Sequence, residues 1–265
     1  MDINEVQQFH LLPDQRHPWE RARLEVISYL ICKIFSKPQE KPLLILDIGC
    51  GDTFVIEELS RRLPLSKIMA VDTAFDDELL LLFNEQCKNK RIEFYQSIEH
   101  IKFHKEKAVD IVLLLDVLEH IVNDVNFLRS LIQYNYVGAE TQFIITVPAF
   151  QSLYSAHDVF LKHYRRYNNG TLKICILQSG LEISSLGYFF FSLLFPRFFE
   201  VLLEKVIQPR TENEKGIGAW NPNRIIDKLI IKLLVSDFKI TELFRRLGVK
   251  FAGLSNYAIC KKQSS

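Results

Sequence analysis

The run Leu-Leu-Ile-Leu-Asp-Ile-Gly-Cys-Gly-Asp at 43–52 constrains this chain more than any other stretch. An apolar run that stops at glycine fits a central parallel strand covered on both faces. Gly49 and Gly51 let the backbone bend and approach a ligand more closely than a Cβ atom would allow. Behind them, 54–63 spaces its apolar residues as an amphipathic helix, and Pro64 stops it. Strand, glycine turn and helix in that order make the nucleotide-binding corner of an open α/β sheet.

The rhythm continues. Strands are predicted over 67–72, 91–96, 109–115 and 143–147, the first ending on Asp72 and the last closed by Pro148. Asn168 to Thr171 offers helix-capping residues, the helix runs to Ser179, and Gly180 supplies the stop. A sixth strand fits 181–188 and a seventh 255–260. The predicted fold is α/β: a Rossmann-like, doubly wound, mostly parallel seven-stranded sheet with helices on both faces and a helical insertion before the last strand. Its parts are an N-terminal helical segment at 1–42, a core at 43–188, the insertion at 189–248 and a closing strand at 249–265.

Composition narrows the function. Lys and Arg number 33 against 32 Asp and Glu, so no overall positive field attracts nucleic acid. The five cysteines are scattered without metal-ligand spacing, which predicts reduced thiols, a cytoplasmic protein and no metal site. The polar N-terminus is unlike a secretory signal, and no apolar stretch is long enough to span a bilayer.

The first glycine turn lacks the third glycine of a dinucleotide fingerprint. Asp72 lies about twenty residues on, where a carboxylate can accept both ribose hydroxyls of NAD or of S-adenosylmethionine (SAM) alike. The segment Asp116-Val117-Leu118-Glu119-His120 after the fourth strand separates the two. With Leu46 to Gly51, Ala70 to Asp72 and Ile145 to Ala149, it resembles the class I SAM-dependent methyltransferases over about 40–190.

That resemblance implies SAM as cofactor and S-adenosylhomocysteine as product. Asp47, Gly49, Cys50 and Gly51 would hold the methionyl part, and Asp72 with Thr73 the ribose. Ser97 and Ile98 would meet adenine, while Asp116, Val117 and His120 would lie beneath the adenosyl group and the transferred methyl. Thr53 stands where a small residue is usual, and Ser97 where an acid is usual. Two further segments, His17 to Arg23 and His157 to Tyr167, are similar to the bacterial "type 12" methyltransferases. There the first segment is a helical lid and the second follows the fifth strand, so both would flank the methyl group.

Methyl transfer to a hydroxyl needs alignment and a base. His157, on a loop with Asp158 beside it, is the first candidate base and His163 the second; each could instead anchor the loop. Arg165 and Arg166 could pair with an acceptor carboxylate or phosphate, or with the chain's own acids. Trp19, Arg23, Tyr154 and Tyr167 complete the expected acceptor-binding set.

The insertion is rich in Phe, Leu and Ile, with polar stripes on two helices and eleven Lys or Arg against seven acids in 197–250. It reads as a roof over an apolar acceptor and an interface for a second copy or a partner protein. Peripheral contact with the inner membrane surface ranks third. The expected activity is methylation, at oxygen, of an apolar, aromatic or carrier-attached small molecule in a biosynthetic pathway. The alternative is a weak or inactive relative retained as an interaction subunit of a biosynthetic complex.

Overall fold

In a computed structural model, residues 16–87, 91–101, 108–206 and 223–263 are described. Seven strands form one sheet in the order β3-β2-β1-β4-β5-β7-β6. They are β1 (Leu44–Ile48), β2 (Lys67–Val71), β3 (Ile92–Tyr95), β4 (Ile111–Leu115), β5 (Gln142–Pro148), β6 (Leu181–Phe189) and β7 (Ser255–Lys262). The first five run parallel, and β7 alone is antiparallel to its neighbours β5 and β6. This is the mostly parallel seven-stranded sheet the sequence predicts.

The central strands are apolar on both faces because helices cover both. One face of the sheet packs Ile45, Ile111 and Ile144 against α1 (Pro18–Ile34), α2 (Phe54–Arg62) and Phe238 of α8 (Arg224–Arg246). The other packs Leu46, Val112 and Ile145 against α4 (Asp124–Leu131) and α6 (Asn169–Gln178). Helix α3 (Asp77–Gln86) follows β2, and the short α5 (Ala156–Phe160) follows β5. Helix α6 begins at an Asn168 capping box and ends where Gly180 turns left-handed at φ +90°, as the composition of 168–180 predicts.

The insertion lies between β6 and β7 and comprises α7 (Phe191–Val206) and α8. Helix α7 runs through Pro196 without ending there. A proline there removes a single bond to Ser192, whose own N–H and hydroxyl are secured by Asp237 of α8 at 2.8 Å each. Among the described residues no helix is long and apolar enough to cross a membrane.

A buried carboxylate fastens α8 to the sheet. Glu242 accepts from Lys33 of α1 at 3.1 Å, from Arg245 at 2.6 Å and from the Tyr257 hydroxyl of β7. Burial alone would raise its pKa, but these donors outweigh it and hold the carboxyl at about 2. A depressed acid contributes stability above its unfolded value, here 4.5, and loses it as pH falls through about 2. Glu242→Ala is expected to lower the unfolding free energy by about 3 kcal/mol in urea titration at pH 7. The variant should also lose less stability than the parent between pH 4.5 and 2.

Candidate active site

The loops after β1, β2, β3 and β4 surround a cavity of about 470 Å³. Gly49, Asp72, Thr73, Ser97, Ile98, Asp116, Val117 and His120 all line it, so the structure brings together most of the expected cofactor residues. Asp47, Cys50 and Gly51 lie immediately behind, in the strand and turn that form one wall.

The first turn is held from β2. Gly49 N–H and Cys50 N–H both donate to the Val71 carbonyl, at 2.8 and 3.2 Å. Gly51 N–H donates to Asp72 Oδ2 at 2.9 Å, and Ala74 N–H to Oδ1 at 3.0 Å. Each Asp72 oxygen keeps a further lone pair, enough to accept a vicinal diol. Gly49 sits at φ +73°, and a Cβ there would stand 2.7 Å from Val117 Cγ2. Thr53 takes up the left-handed conformation itself, at φ 67°, while its hydroxyl donates to Glu57 at 2.9 Å. The departure from the usual small residue is therefore accommodated within the turn.

Acids crowd this corner. Burial pushes Asp47, whose Oδ1 has no hydrogen-bond partner, up to about 7. Asp116 adopts φ 57°, uncommon outside glycine, and is fixed in place from three directions. Its N–H donates to the Thr146 carbonyl at 2.9 Å, the Thr146 hydroxyl donates to Oδ1 at 3.0 Å, and Arg23 pairs with Oδ2 at 2.9 Å. The buried Arg23 also donates to the Thr146 hydroxyl at 3.0 Å and lies 5.5 Å from the Trp19 ring. Arg16, also buried, pairs with Asp52 at the end of the glycine turn and with Glu20 at 3.4 Å.

The segment after β5 is organised around one carboxylate. Asp158 has no exposed surface; it accepts from Ser155 N–H at 3.0 Å and Arg166 Nε at 2.7 Å. His163 Nδ1 lies 2.9 Å from Asp158 Oδ1. Burial would raise this acid, yet the bonds from His163, Arg166 and Ser155 hold it well below the usual carboxylate range. An ionised carboxylate only accepts, so His163 Nδ1 carries a proton, and the neutral form of the ring has its lone pair on Nε2. The His163 ring meets the His120 ring edge-on, with centroids 4.6 Å apart. His157 differs: burial and the Arg197 guanidinium lower its pKa.

The remaining expected residues are tied into the chain. Tyr154 donates to the His163 carbonyl at 2.6 Å, and Tyr167 to Asp124 at 2.7 Å. Arg165 pairs with Asp124 at 3.1 Å and Arg166 with Asp158, so both guanidinium groups meet the chain's own acids. Sequence reasoning assigned no role to Arg16, Thr146 or Glu119. The first two become part of the site only through contacts 36 and 123 residues apart in the chain. Glu119 stood inside a recognised motif, and only its burial singles it out.

Residues 46–134 match the family model described as a methyltransferase domain. Over 142 residues the chain is 29% identical to a ubiquinone biosynthesis O-methyltransferase from Maricaulis maris, covering 48% of this chain and 55% of that protein. Over 91 residues it is 30% identical to a malonyl-[acyl-carrier protein] O-methyltransferase from Bacillus cereus, covering 34% and 32% respectively. The chain thus spans about half, or less, of the length of these curated relatives. A phosphoethanolamine N-methyltransferase from Haemonchus contortus superposes with a TM-score of 0.56 at 15% identity, covering 99% of this chain and 57% of that one. That likeness is one of fold.

The Gly49 geometry has a direct consequence. Gly49→Ala is expected to cost about 1–3 kcal/mol, from the strained φ and the contact with Val117. Adding Val117→Ala should return only part of it, as a thermal-denaturation double-mutant cycle would register.

Proposed function

We propose that this chain, whose residues 46–134 match the model of a methyltransferase domain, transfers a methyl group from SAM to a hydroxyl oxygen of a small or carrier-attached acceptor. One observation carries the reading: a cavity walled by Asp72 and 116–120 adjoins a histidine oriented by a buried carboxylate. The cavity fits the cofactor, since Asp72 on its wall retains the acceptor capacity that a ribose diol requires. When bound, SAM supplies an electrophilic methyl group on a sulfonium centre.

The chain's own residues then have distinct tasks. The 49–51 turn and Asp47 hold the amino-acid end, Asp72 and Thr73 the ribose, Ser97 and Ile98 the adenine, and Val117 the underside of the ring. Asp116, held by Arg23 and Thr146, keeps the β4 corner in its left-handed turn. His163 is favoured over His157 for the hydroxyl proton: Asp158 fixes its tautomer, and the proton is received at Nε2. Trp19, Tyr154 and the part-exposed Arg165 are the residues proposed to line the acceptor. The names of both curated relatives specify O-methylation, and one specifies a carrier-attached acceptor, which supports that class.

Isothermal titration should give SAM binding to the parent chain, weakened at least tenfold in Asp72→Ala. His163→Gln should keep SAM affinity while lowering kcat by about 10²–10⁴ across a panel of hydroxyl acceptors. Absence of SAM binding to the parent would remove the reading. A second reading, an interaction subunit of a biosynthetic complex, draws on α7, where Phe198, Phe199 and Leu203 are more than half exposed. SAM binding without turnover of any acceptor would favour it.

A further inference from the structure

We propose that Glu119, His120 and His163 form a divalent transition-metal site beside the cofactor cavity. One ligand atom from each of the three residues lies within 4.8 Å of the other two. Glu119 has no exposed surface, and no other residue donates a hydrogen bond to either of its carboxylate oxygens. A buried carboxylate left so is costly unless a cation or a proton neutralises it. Two guanidinium groups stand near it, but Arg23 is engaged by Asp116 and Arg166 by Asp158. Asp116 itself adds negative charge at Glu119, which favours a cation further.

His163 is already held as a metal-binding histidine is held. Its Nδ1 is tied to a buried carboxylate, which turns Nε2 and its lone pair away from Asp158. Ligands at metal bonds of about 2.0–2.2 Å stand roughly 3–4 Å apart, so the three side chains need to close by only about an ångström. Two imidazoles and one carboxylate suit Zn²⁺, Co²⁺ or Mn²⁺ and leave coordination positions open. His120 also lines the cavity, so an open position is accessible from the cofactor side.

The role of such a site rests on the methyl-transfer reading, although cation binding does not. A cation there would hold the acceptor oxygen and acidify its hydroxyl. The proton leaves to solvent, and the freed oxygen pair forms the O–C bond as the donor's C–S bond breaks. The cation keeps its oxidation state throughout. His163 then serves as a ligand, and its Nε2 no longer takes the proton.

Co²⁺ titration of the metal-stripped full chain, followed by visible absorption and calorimetry, tests this. The expected result is one Co²⁺ per chain, with a d–d band that EDTA removes. His163→Gln and His120→Gln should each weaken Co²⁺ at least tenfold, and Asp158→Asn by about 10–100-fold. These variants keep Glu119, and thermal melts establish that each is folded; Glu119→Gln is a further arm if it folds. Asp72→Ala should lose SAM yet keep Co²⁺. No Co²⁺ uptake by the parent chain, or equal uptake in both histidine variants, overturns the site. Methyl transfer without bound metal overturns the catalytic role of the site while leaving the proposed function standing. Co²⁺ binding without SAM binding supports the site and removes that function.

Discussion

Between β1 and β4 the sheet changes the direction in which its connections run, and everything chemical in this chain stands around the gap that results. Chain order proceeds outward from β1 through β2 to β3, then returns to β4 and continues outward on the other side. Loops leaving neighbouring strands therefore part at the carboxyl ends of β1 and β4, and a ligand can lie between them. The Gly49 turn is bonded to β2, and the Asp116 turn to β5, so each wall is anchored on the side away from the gap. Gly49 and Val117 meet across its floor, which is why neither turn has room to relax.

Opening a gap at strand ends also gathers acids there. Asp47 stands near the end of β1, Asp72 and Asp116 directly follow β2 and β4, and Glu119 lies in the helical turn just beyond β4. Water alone cannot solvate them, because Asp47 and Glu119 are buried. Helix α1 answers part of this charge by bringing Arg23 onto Asp116, and Arg16, two residues ahead of the helix, pairs with Asp52. The N-terminal segment, expected as a lid, is thus an electrostatic counterpart of the loops it pairs with. Among the acids of this corner, Asp47 and Glu119 keep oxygens to which no other residue donates.

The strands, the glycine turn and Asp72 were legible because each depends on local pattern: an apolar run, a left-handed turn, an acid at a fixed distance. The α6 cap and its Gly180 stop were legible for the same reason. The start of α7 was not legible locally, since Asp237 of another helix secures Ser192 there. The His163–Asp158 pair was only half legible. Sequence adjacency favoured His157 as the partner of Asp158, yet on α5 the neighbour in sequence does not share the face that the residue five positions on reaches by a tight turn. The Glu119–His120–His163 grouping was beyond reach, because it joins the β4 corner to the segment after β5, and scattered cysteines had directed attention away from metals.

The helical insertion is best understood through what it touches. Helix α7 sends Arg197 to the Ser155 hydroxyl and within 3.9 Å of Asp158, the carboxylate that orients His163. On the same helix Glu204 accepts from Ala156 N–H at 2.7 Å, and Lys205 donates to the Ser152 carbonyl at 3.3 Å. These polar residues face the segment after β5, while Phe198, Phe199 and Leu203 remain exposed on the rest of the helix. A helix so arranged can hold the histidine loop with one side and offer an apolar surface with the other. Anything that shifts α7 would reach His163 through Asp158, without passing through the sheet. The Phe-rich insertion and His163 are therefore parts of one mechanical unit, and its apolar surface stands one helix away from that imidazole.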